Sequence, residues 1–164
     1  MASQLTRRRA LRLGTTVGVL GVAGCLGASG TDSRESDDPL PVDDAQQYSS
    51  PGCACCEQYA SYLDGYVRGN LSETVPDDVA ATKREHGIPA DLRSCHTVVL
   101  DEYVVEGHVP VAAIATLLDD EPAVDGIALP GMPRGSPGMR GETDGPLTIY
   151  VVDGDRSGRV YAEL

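Results

Sequence analysis

Three cysteines fall within four residues, in the run Cys53-Ala54-Cys55-Cys56, and an apolar stripe follows them directly. The stripe has the i, i+3, i+4, i+7 spacing of an amphipathic helix and consists of Tyr59, Ala60, Leu63, Tyr66 and Val67. The free N–H groups and the dipole of a helix N-terminus stabilise thiolates. Thiolates this close repel one another unless they are protonated, oxidised or bound to a cation. The segment therefore predicts a helix start that carries a reactive or metal-binding thiol cluster.

The other hydrophobic patterns predict a single α/β domain. A weak first strand at Gln46–Tyr48 precedes the cysteines, although glutamines are poor occupants of a buried strand. After the cysteine helix we expect a short strand, a second helix, a hairpin, a third helix, a Gly/Pro-rich loop and a last hairpin. In that order, the segments are Leu71–Val75, Asp77–His86 with Asp77 as its cap and Gly87 at its end, Thr97–Leu100 with Tyr103–Val105, Pro110–Leu118, Pro130–Met139, and Leu147–Val152 with Arg159–Ala162.

This order of elements resembles the thioredoxin-like plan, a mixed sheet flanked by helices, here with an added C-terminal loop and β-hairpin. In thioredoxin-like proteins the loop that enters the hairpin faces the C-x-x-C motif. The resemblance therefore implies that Cys95 and His96 face the cysteine run, and His108 is expected at the same end of the sheet. Met132 and Met139, on the Gly/Pro loop, carry thioethers, which are soft ligands for copper(I).

Four motifs together resemble the CopG-type family, which is associated with copper resistance and was long catalogued as a domain of unknown function. The motifs are C-A-C-C, S-C-H-T, V-V-E-G-H-V-P and P-G-M-P-R-G-S-P-G-M, within Ser49 to Val152. The resemblance implies a thioredoxin-like fold and a cysteine-bridged, polynuclear copper(I) site held by Cys53, Cys55, Cys56 and Cys95. Four further motif residues extend the candidate ligand set: His96, His108, Met132 and Met139. The family's first strand is usually apolar, and this chain departs from it at Ala45–Tyr48.

The residues leave other chemistries open. With Cys53 as nucleophile and Cys56 as resolving thiol, the domain would be a thiol–disulfide oxidoreductase, a function that has no use for Cys55 or Cys95. Zinc held by Cys53, Cys56, Cys95 and a histidine is a further alternative that leaves Cys55 idle. Two structural disulfides, Cys53–Cys56 and Cys55–Cys95, also suit an exported protein. We expect copper sequestration or handling for copper homeostasis, and the sequence does not decide whether a reaction on copper or disulfides is catalysed.

The N-terminus predicts export. Thr6–Leu11 resembles a twin-arginine signal, and the apolar stretch that follows is shorter than the roughly 20 residues needed to span a bilayer. Val22–Cys25 resembles a lipobox with Cys25 as the lipidated residue, and ordinary cleavage near Ala23 is the alternative. We therefore expect a lipoprotein signal peptide at 1–24, a lipidated, acidic, disordered tether at 25–44 and a metal-binding domain at 45–164. The domain would be anchored to the outer face of the cytoplasmic membrane by lipid alone.

The charge of the chain indicates habitat more than function. Without the four arginines of residues 1–24, nine basic residues remain against twenty-five acidic ones, a formal charge of −16, and Lys83 is the only lysine. Such a surface suits a salt-loving organism, because concentrated salt screens the self-repulsion. It argues against nucleic acid as a partner, which requires clustered lysine and arginine. The expected partners are copper ions and a copper-handling protein.

Overall fold

The computed structural model describes residues 39–164, so the predicted signal peptide, Cys25 and most of the predicted tether lie outside the described residues. The strands are β1 Asp44–Ser49, β2 Asn70–Thr74, β3 His96–Leu100, β4 Tyr103–Gly107, β5 Gly126–Leu129, β6 Thr148–Val152 and β7 Val160–Glu163. The helices are α1 Ala54–Asp64, α2 Val79–Glu85 and α3 Val111–Asp120, with short 3₁₀ turns at Ala90–Leu92 and Gly154–Arg156. No helix within the described part of the chain is long and apolar enough to cross a membrane.

The strands form one mixed sheet in the order β2-β1-β3-β4-β5-β6-β7. β1 is parallel to β2 and antiparallel to β3, and β3 and β4 form the predicted hairpin. β4 runs parallel to β5 through α3, and β6 and β7 complete the sheet as an antiparallel pair. The predicted α/β class, a mixed sheet with helices and an added C-terminal loop and hairpin, is confirmed. The order β2-β1-β3-β4 is compatible with the thioredoxin-like plan.

Strand β5 was not predicted. It has only four residues and lies between Pro122 and Pro130, so its apolar run is too short to show a period. Its first residue, Gly126, pairs with Val104, and a Cβ at this position would collide with the Val104 carbonyl. Glycine is therefore required where β5 approaches β4.

Each face of the sheet covers its own core. On one face, α1 and α3 pack on alternate strand residues that include Val98, Val105, Ile127 and Ile149. On the opposite face, Val104, Ala128 and Val152 pack with Ile88 and Leu92 from the segment that follows α2. The first core also contains Leu40 and Val42, each 1% exposed, which precede the predicted domain start at residue 45.

Two predicted helix boundaries differ from the structure. α1 ends at Asp64, before the last two residues of the predicted stripe, and Val67 instead forms a bridge with Leu40. The stripe continues past the helix because these residues are held by the core. α2 is capped by Asp78, whose Oδ1 accepts a hydrogen bond from the Ala81 N–H at 2.8 Å, and not by Asp77.

The polar first strand is accommodated by hydrogen bonds. Gln47 is fully buried in β1, and its Nε2 donates to Ser49 Oγ at 2.9 Å and to the Cys56 carbonyl at 3.0 Å. These bonds satisfy the donor side of the amide and lower the desolvation cost of burying it, while Gln47 Oε1 has no hydrogen-bond partner among the described residues. The glutamine that weakens the strand prediction therefore ties β1 to the cysteine helix.

Candidate metal centre

The start of α1 holds the cysteine run at one end of the sheet. Cys53 is the N-cap of the helix, and its Sγ accepts a hydrogen bond from the Cys56 N–H at 3.3 Å. Just before it, Ser50 donates from both its N–H, at 3.1 Å, and its Oγ, at 2.7 Å, to the carbonyl of Cys95. The end of β1 thus fixes Cys95, at the entrance to β3, beside the helix start, as the thioredoxin-like resemblance implies.

The four predicted thiol positions come together. Cys53 and Cys56 form a disulfide, with their Cα atoms 5.3 Å apart, while Cys55 and Cys95 are free thiols. Cys55 Sγ lies 3.4 Å from Cys53 Sγ and 3.9 Å from Cys95 Sγ. All four sulfur atoms are within 4.8 Å of one another. Of the two disulfides weighed from the sequence, only Cys53–Cys56 is formed in the described residues.

A second group shares the Cys95 sulfur. Cys95 Sγ is 3.3 Å from His96 Nδ1 and 3.1 Å from His108 Nε2, and these three residues also place their ligand atoms within 4.8 Å of one another. His108 Nδ1 donates to the Pro137 carbonyl at 2.7 Å. Because a carbonyl can only accept, this bond puts the ring proton on Nδ1 and leaves the Nε2 lone pair facing Cys95.

The electrostatics keep both histidines neutral. Burial, with smaller contributions from the neighbouring His108 and Lys83, lowers the pKa of His96 to about 3. Burial also lowers the pKa of His108. Neutral imidazole is the form that binds a metal ion. His96 Nε2 is buried and has no hydrogen-bond partner among the described residues.

The Cys95 thiol holds its proton until a cation displaces it. Burial, together with the neighbouring Cys55, raises the pKa of Cys95 to about 11. A thiolate is the form that binds a metal, so binding here must release a proton. The group is therefore poorly suited to free thiolate chemistry at neutral pH and well suited to a soft metal ion that supplies positive charge.

Tyr59 supports the histidines, a role that sequence reasoning missed. Its ring centroid lies 4.4 Å from that of His96 and 5.5 Å from that of His108, and its hydroxyl donates to the Val109 carbonyl at 2.8 Å. In the sequence Tyr59 is one apolar residue in a helical stripe. Its position one turn after Cys56 is the signal that it lies under the site.

The Gly/Pro loop covers this end of the sheet. Pro137 contacts His108 through its carbonyl, Ser94 Oγ donates to the Gly131 carbonyl, and Gly138 lies against α1. Of the two methionines on the loop, Met132 is 52% exposed and Met139 is half-buried. Their role as ligands stays a prediction.

A buried polar group lies behind the site and was not assigned from the sequence. Glu106 Oε1 accepts a hydrogen bond from Lys83 Nζ at 2.6 Å, and the exposed fractions of the Lys83 and Glu106 side chains are 5% and 0%. Thr97 bonds to both side chains. Charged residues separated this far in sequence look like surface residues until the fold brings them together.

The fold and the site define a mixed α/β domain that gathers four cysteine sulfurs and two neutral imidazoles at one end of its sheet, a donor set for soft metal ions. A family model described as "Protein of unknown function, DUF411" matches residues 92–139. No curated protein sequence matches the chain.

Two solved structures are similar to this chain over most of its length. "Copper resistance protein copG- Form 1" is 34% identical with a TM-score of 0.66, covering 75% of this chain and 98% of that one. "Copper resistance protein copG- Form 2" has the same identity and TM-score and covers 77% of this chain and 99% of that one. The chain belongs to the CopG family, and the resemblance predicted from its four motifs is confirmed.

Proposed function

We propose that this protein binds copper(I) at Cys53, Cys55, Cys56 and Cys95 and sequesters or hands on copper in copper resistance. The observation that carries the proposal is the convergence of these four sulfurs within 4.8 Å, from two segments far apart in the chain. Thiolates and imidazoles are ligands that copper(I) prefers. The names of the two similar structures, both copper resistance proteins, support copper as the metal.

The shared sulfur supports a site for more than one ion. Cys95 belongs both to the four-thiol group and to the group with His96 and His108. A thiolate has several lone pairs, so one sulfur can bridge two soft ions, and positive charge on both sides offsets the crowding of thiolates. We infer that Cys95 is the bridging ligand and that the two histidines, already neutral, complete the second position.

Copper binding by all four sulfurs requires the reduced protein. Two electrons and two protons convert the Cys53–Cys56 disulfide into two thiols, and each thiol then loses its proton when it binds a metal ion. The oxidised form retains the Cys55 and Cys95 thiols and both histidines. The proposal therefore predicts that oxidation weakens copper binding.

Anaerobic titration of the reduced protein with copper(I), in competition with a chelator, tests the proposal. We expect tight binding that Cys55→Ser weakens, because Cys55 lies between Cys53 and Cys95. Cys25→Ser is the matched control, since it removes a thiol of the predicted anchor and should leave binding unchanged. Micromolar or weaker binding, equal binding by Cys55→Ser, or a preference for zinc would contradict the proposal.

A second candidate is thiol–disulfide exchange. The observation in its favour is the Cys53–Cys56 disulfide at a helix start, with Cys53 partly exposed and Cys56 buried. Cys53→Ser should then abolish the reduction of a test disulfide, whereas Cys55→Ser should not. Equal activity in the wild type and Cys53→Ser would eliminate this function.

We further propose that the protein is exported and tethered by lipid on Cys25. The support is the sequence of residues 1–25, with its arginines, short apolar stretch and lipobox-like ending. Cys25→Ser should release the protein from membranes in cell fractionation, with Cys55→Ser as the matched control that stays attached. Continued membrane association of Cys25→Ser would refute the anchor.

A further inference from the structure

The only lysine of the chain lies in a buried ion pair beside the metal centre. Lys83, on α2, donates from Nζ to Glu106 Oε1 at 2.6 Å and to Thr97 Oγ1 at 3.1 Å. Thr97 Oγ1 in turn donates to Glu106 Oε2 at 2.6 Å. The Ser94 N–H also donates to Glu106 Oε1. Lys83, Thr97 and Glu106 thus form a closed group, here called the Lys83 network.

The Lys83 network joins the two segments that carry the shared ligands. Ser94 and Thr97 flank Cys95 and His96, while Glu106 is two residues before His108. Thr97 and Glu106 are direct partners in the β3–β4 ladder. Because side chains alternate along a strand, Thr97 lies on the face of the sheet opposite His96. One carboxylate therefore holds the backbone before Cys95 to the strand that leads into His108.

Stability alone is a weak explanation for the Lys83 network. Burying two charges carries a desolvation cost that their attraction often fails to repay, and well-packed apolar side chains at such positions are frequently as stable. The neighbouring residues on this face, including Ile88 and Val104, are apolar and show that the position can be packed that way. What an apolar pair cannot do is accept the Ser94 N–H. The acceptor oxygen of Glu106 thus connects the ion pair to the backbone that precedes Cys95.

We propose that the Lys83 network is a positioning device that sets the distance between Cys95 and His108. The proposal rests on the proposed metal-binding function, and it concerns the 3.1 Å separation of Cys95 Sγ and His108 Nε2. Lys83 neutralises and orients the Glu106 carboxylate. The oriented carboxylate fixes the Ser94 N–H and, with it, the start of β3. Without Lys83, Glu106 is an unpaired buried charge that must move toward water and release Ser94.

The test measures copper(I) affinity and the copper X-ray absorption spectrum of Lys83→Met and Lys83→Arg in the whole protein. We expect Lys83→Met to lose affinity, by no more than the about 10–100-fold that removal of a direct hydrogen-bond partner of a ligand costs, and to show weaker nitrogen scattering. Lys83→Arg keeps the charge and should restore most of both signals. Ile88→Ala is the matched control, because it opens the same core without touching Ser94.

Wild-type affinity in Lys83→Met, or an equal loss in Ile88→Ala, would overturn the proposal. If Lys83→Met does not fold, Thr97→Val replaces it, since this near-isosteric change keeps the ion pair and removes the hydroxyl that accepts from Lys83 and orients the carboxylate by donating to Glu106 Oε2. Thr97→Val should lower the affinity in the same direction and shift the same spectral feature. Copper binding by Thr97→Val that matches the wild type would again overturn the proposal.

A measurement without metal separates this proposal from the proposed function. In the reduced, metal-free protein, hydrogen exchange at the Ser94 amide should be faster in Lys83→Met than in the wild type, with exchange along α3 unchanged. If the wild type fails to bind copper but Ser94 exchanges faster in the variant, the proposed function fails and the positioning role stands. Unchanged exchange at Ser94 refutes the positioning role whatever the metal result.

Discussion

Gly138 offers a test of how the Gly/Pro loop supports the metal centre. Its φ is +76°, and an added Cβ would lie 2.9 Å from the Tyr59 nitrogen and 3.2 Å from the Cys55 carbonyl oxygen. Gly131, on the same loop, has a φ of +73° and nothing within 4 Å of an added Cβ. An alanine at either position must adopt the left-handed conformation, but only at Gly138 does it also press on the backbone of α1. The pair therefore separates backbone strain from steric displacement.

The expected magnitudes follow from these contacts. The left-handed conformation costs an alanine about 1–2 kcal/mol, so both variants should lose about this much stability. Gly138→Ala should lose more, because backbone atoms of α1 cannot rotate away and the loop must lift. When the loop lifts, the Pro137 carbonyl moves away from His108 Nδ1 and their hydrogen bond is lost, which lowers the stability by about 0.5–1.5 kcal/mol. Losing the partner of a ligating histidine lowers metal affinity by about 10–100-fold.

Urea unfolding of the metal-free protein and anaerobic copper(I) competition measure the two effects separately. We expect Gly138→Ala to lose both stability and affinity, and Gly131→Ala to lose stability with its affinity unchanged. Equal copper affinity in the two variants would contradict this expectation, because the loop contact with α1 would then have no influence on His108.

Three further predictions concern pH, capping and the core. Burial lowers the pKa of His96 to about 3. Between about pH 6.5 and about pH 3, the His96 imidazole is therefore protonated in the unfolded chain and neutral in the folded one. On acidification, the stability of the wild type should thus fall relative to that of His96→Gln by up to about 1.4 kcal/mol per pH unit. Urea unfolding at several pH values measures this difference, and parallel pH profiles of the two proteins would contradict it. Asp78→Ala should cost about 1 kcal/mol and Asp77→Ala nothing, and the reverse order in urea unfolding would contradict the observed cap. Ile114→Ala should cost about 2–5 kcal/mol in the same assay, because Ile114 is fully buried between α3 and the sheet, and a smaller loss would indicate a loosely packed core.

The elements that could be predicted from the sequence are those that a short run of neighbouring residues specifies by itself. The cysteine run before a helical stripe predicted the start of α1, and two β-branched runs separated by Asp101-Glu102 predicted the β3–β4 hairpin. The prediction that Cys95 lies beside the cysteine run came from the thioredoxin-like resemblance. No pattern of neighbouring residues predicts this contact. The hydrogen bonds from Ser50 to the Cys95 carbonyl are its structural basis.

Features that depend on contacts distant in sequence were missed or misplaced. The four residues of β5 have no readable period, and only the β4–α3–β5 connection makes them a strand. The end of α1 was placed too late, because Val67 is buried by its bridge to Leu40 and so continues the apolar stripe without being helical. Lys83 and Glu106 are charged residues on different elements, and only the folded sheet shows that they pair in the interior.

The proposed bridging role of Cys95 is tested by the number of copper(I) ions bound per chain of the reduced protein, with and without Cys95. Because the Cys95 sulfur belongs to both groups of candidate ligands, we expect more than one ion per chain in the wild type. Cys95→Ser should lower that number, while Cys25→Ser should leave it unchanged. One copper ion per chain in the wild type, or an unchanged number in Cys95→Ser, would contradict the proposal that Cys95 bridges two metal positions.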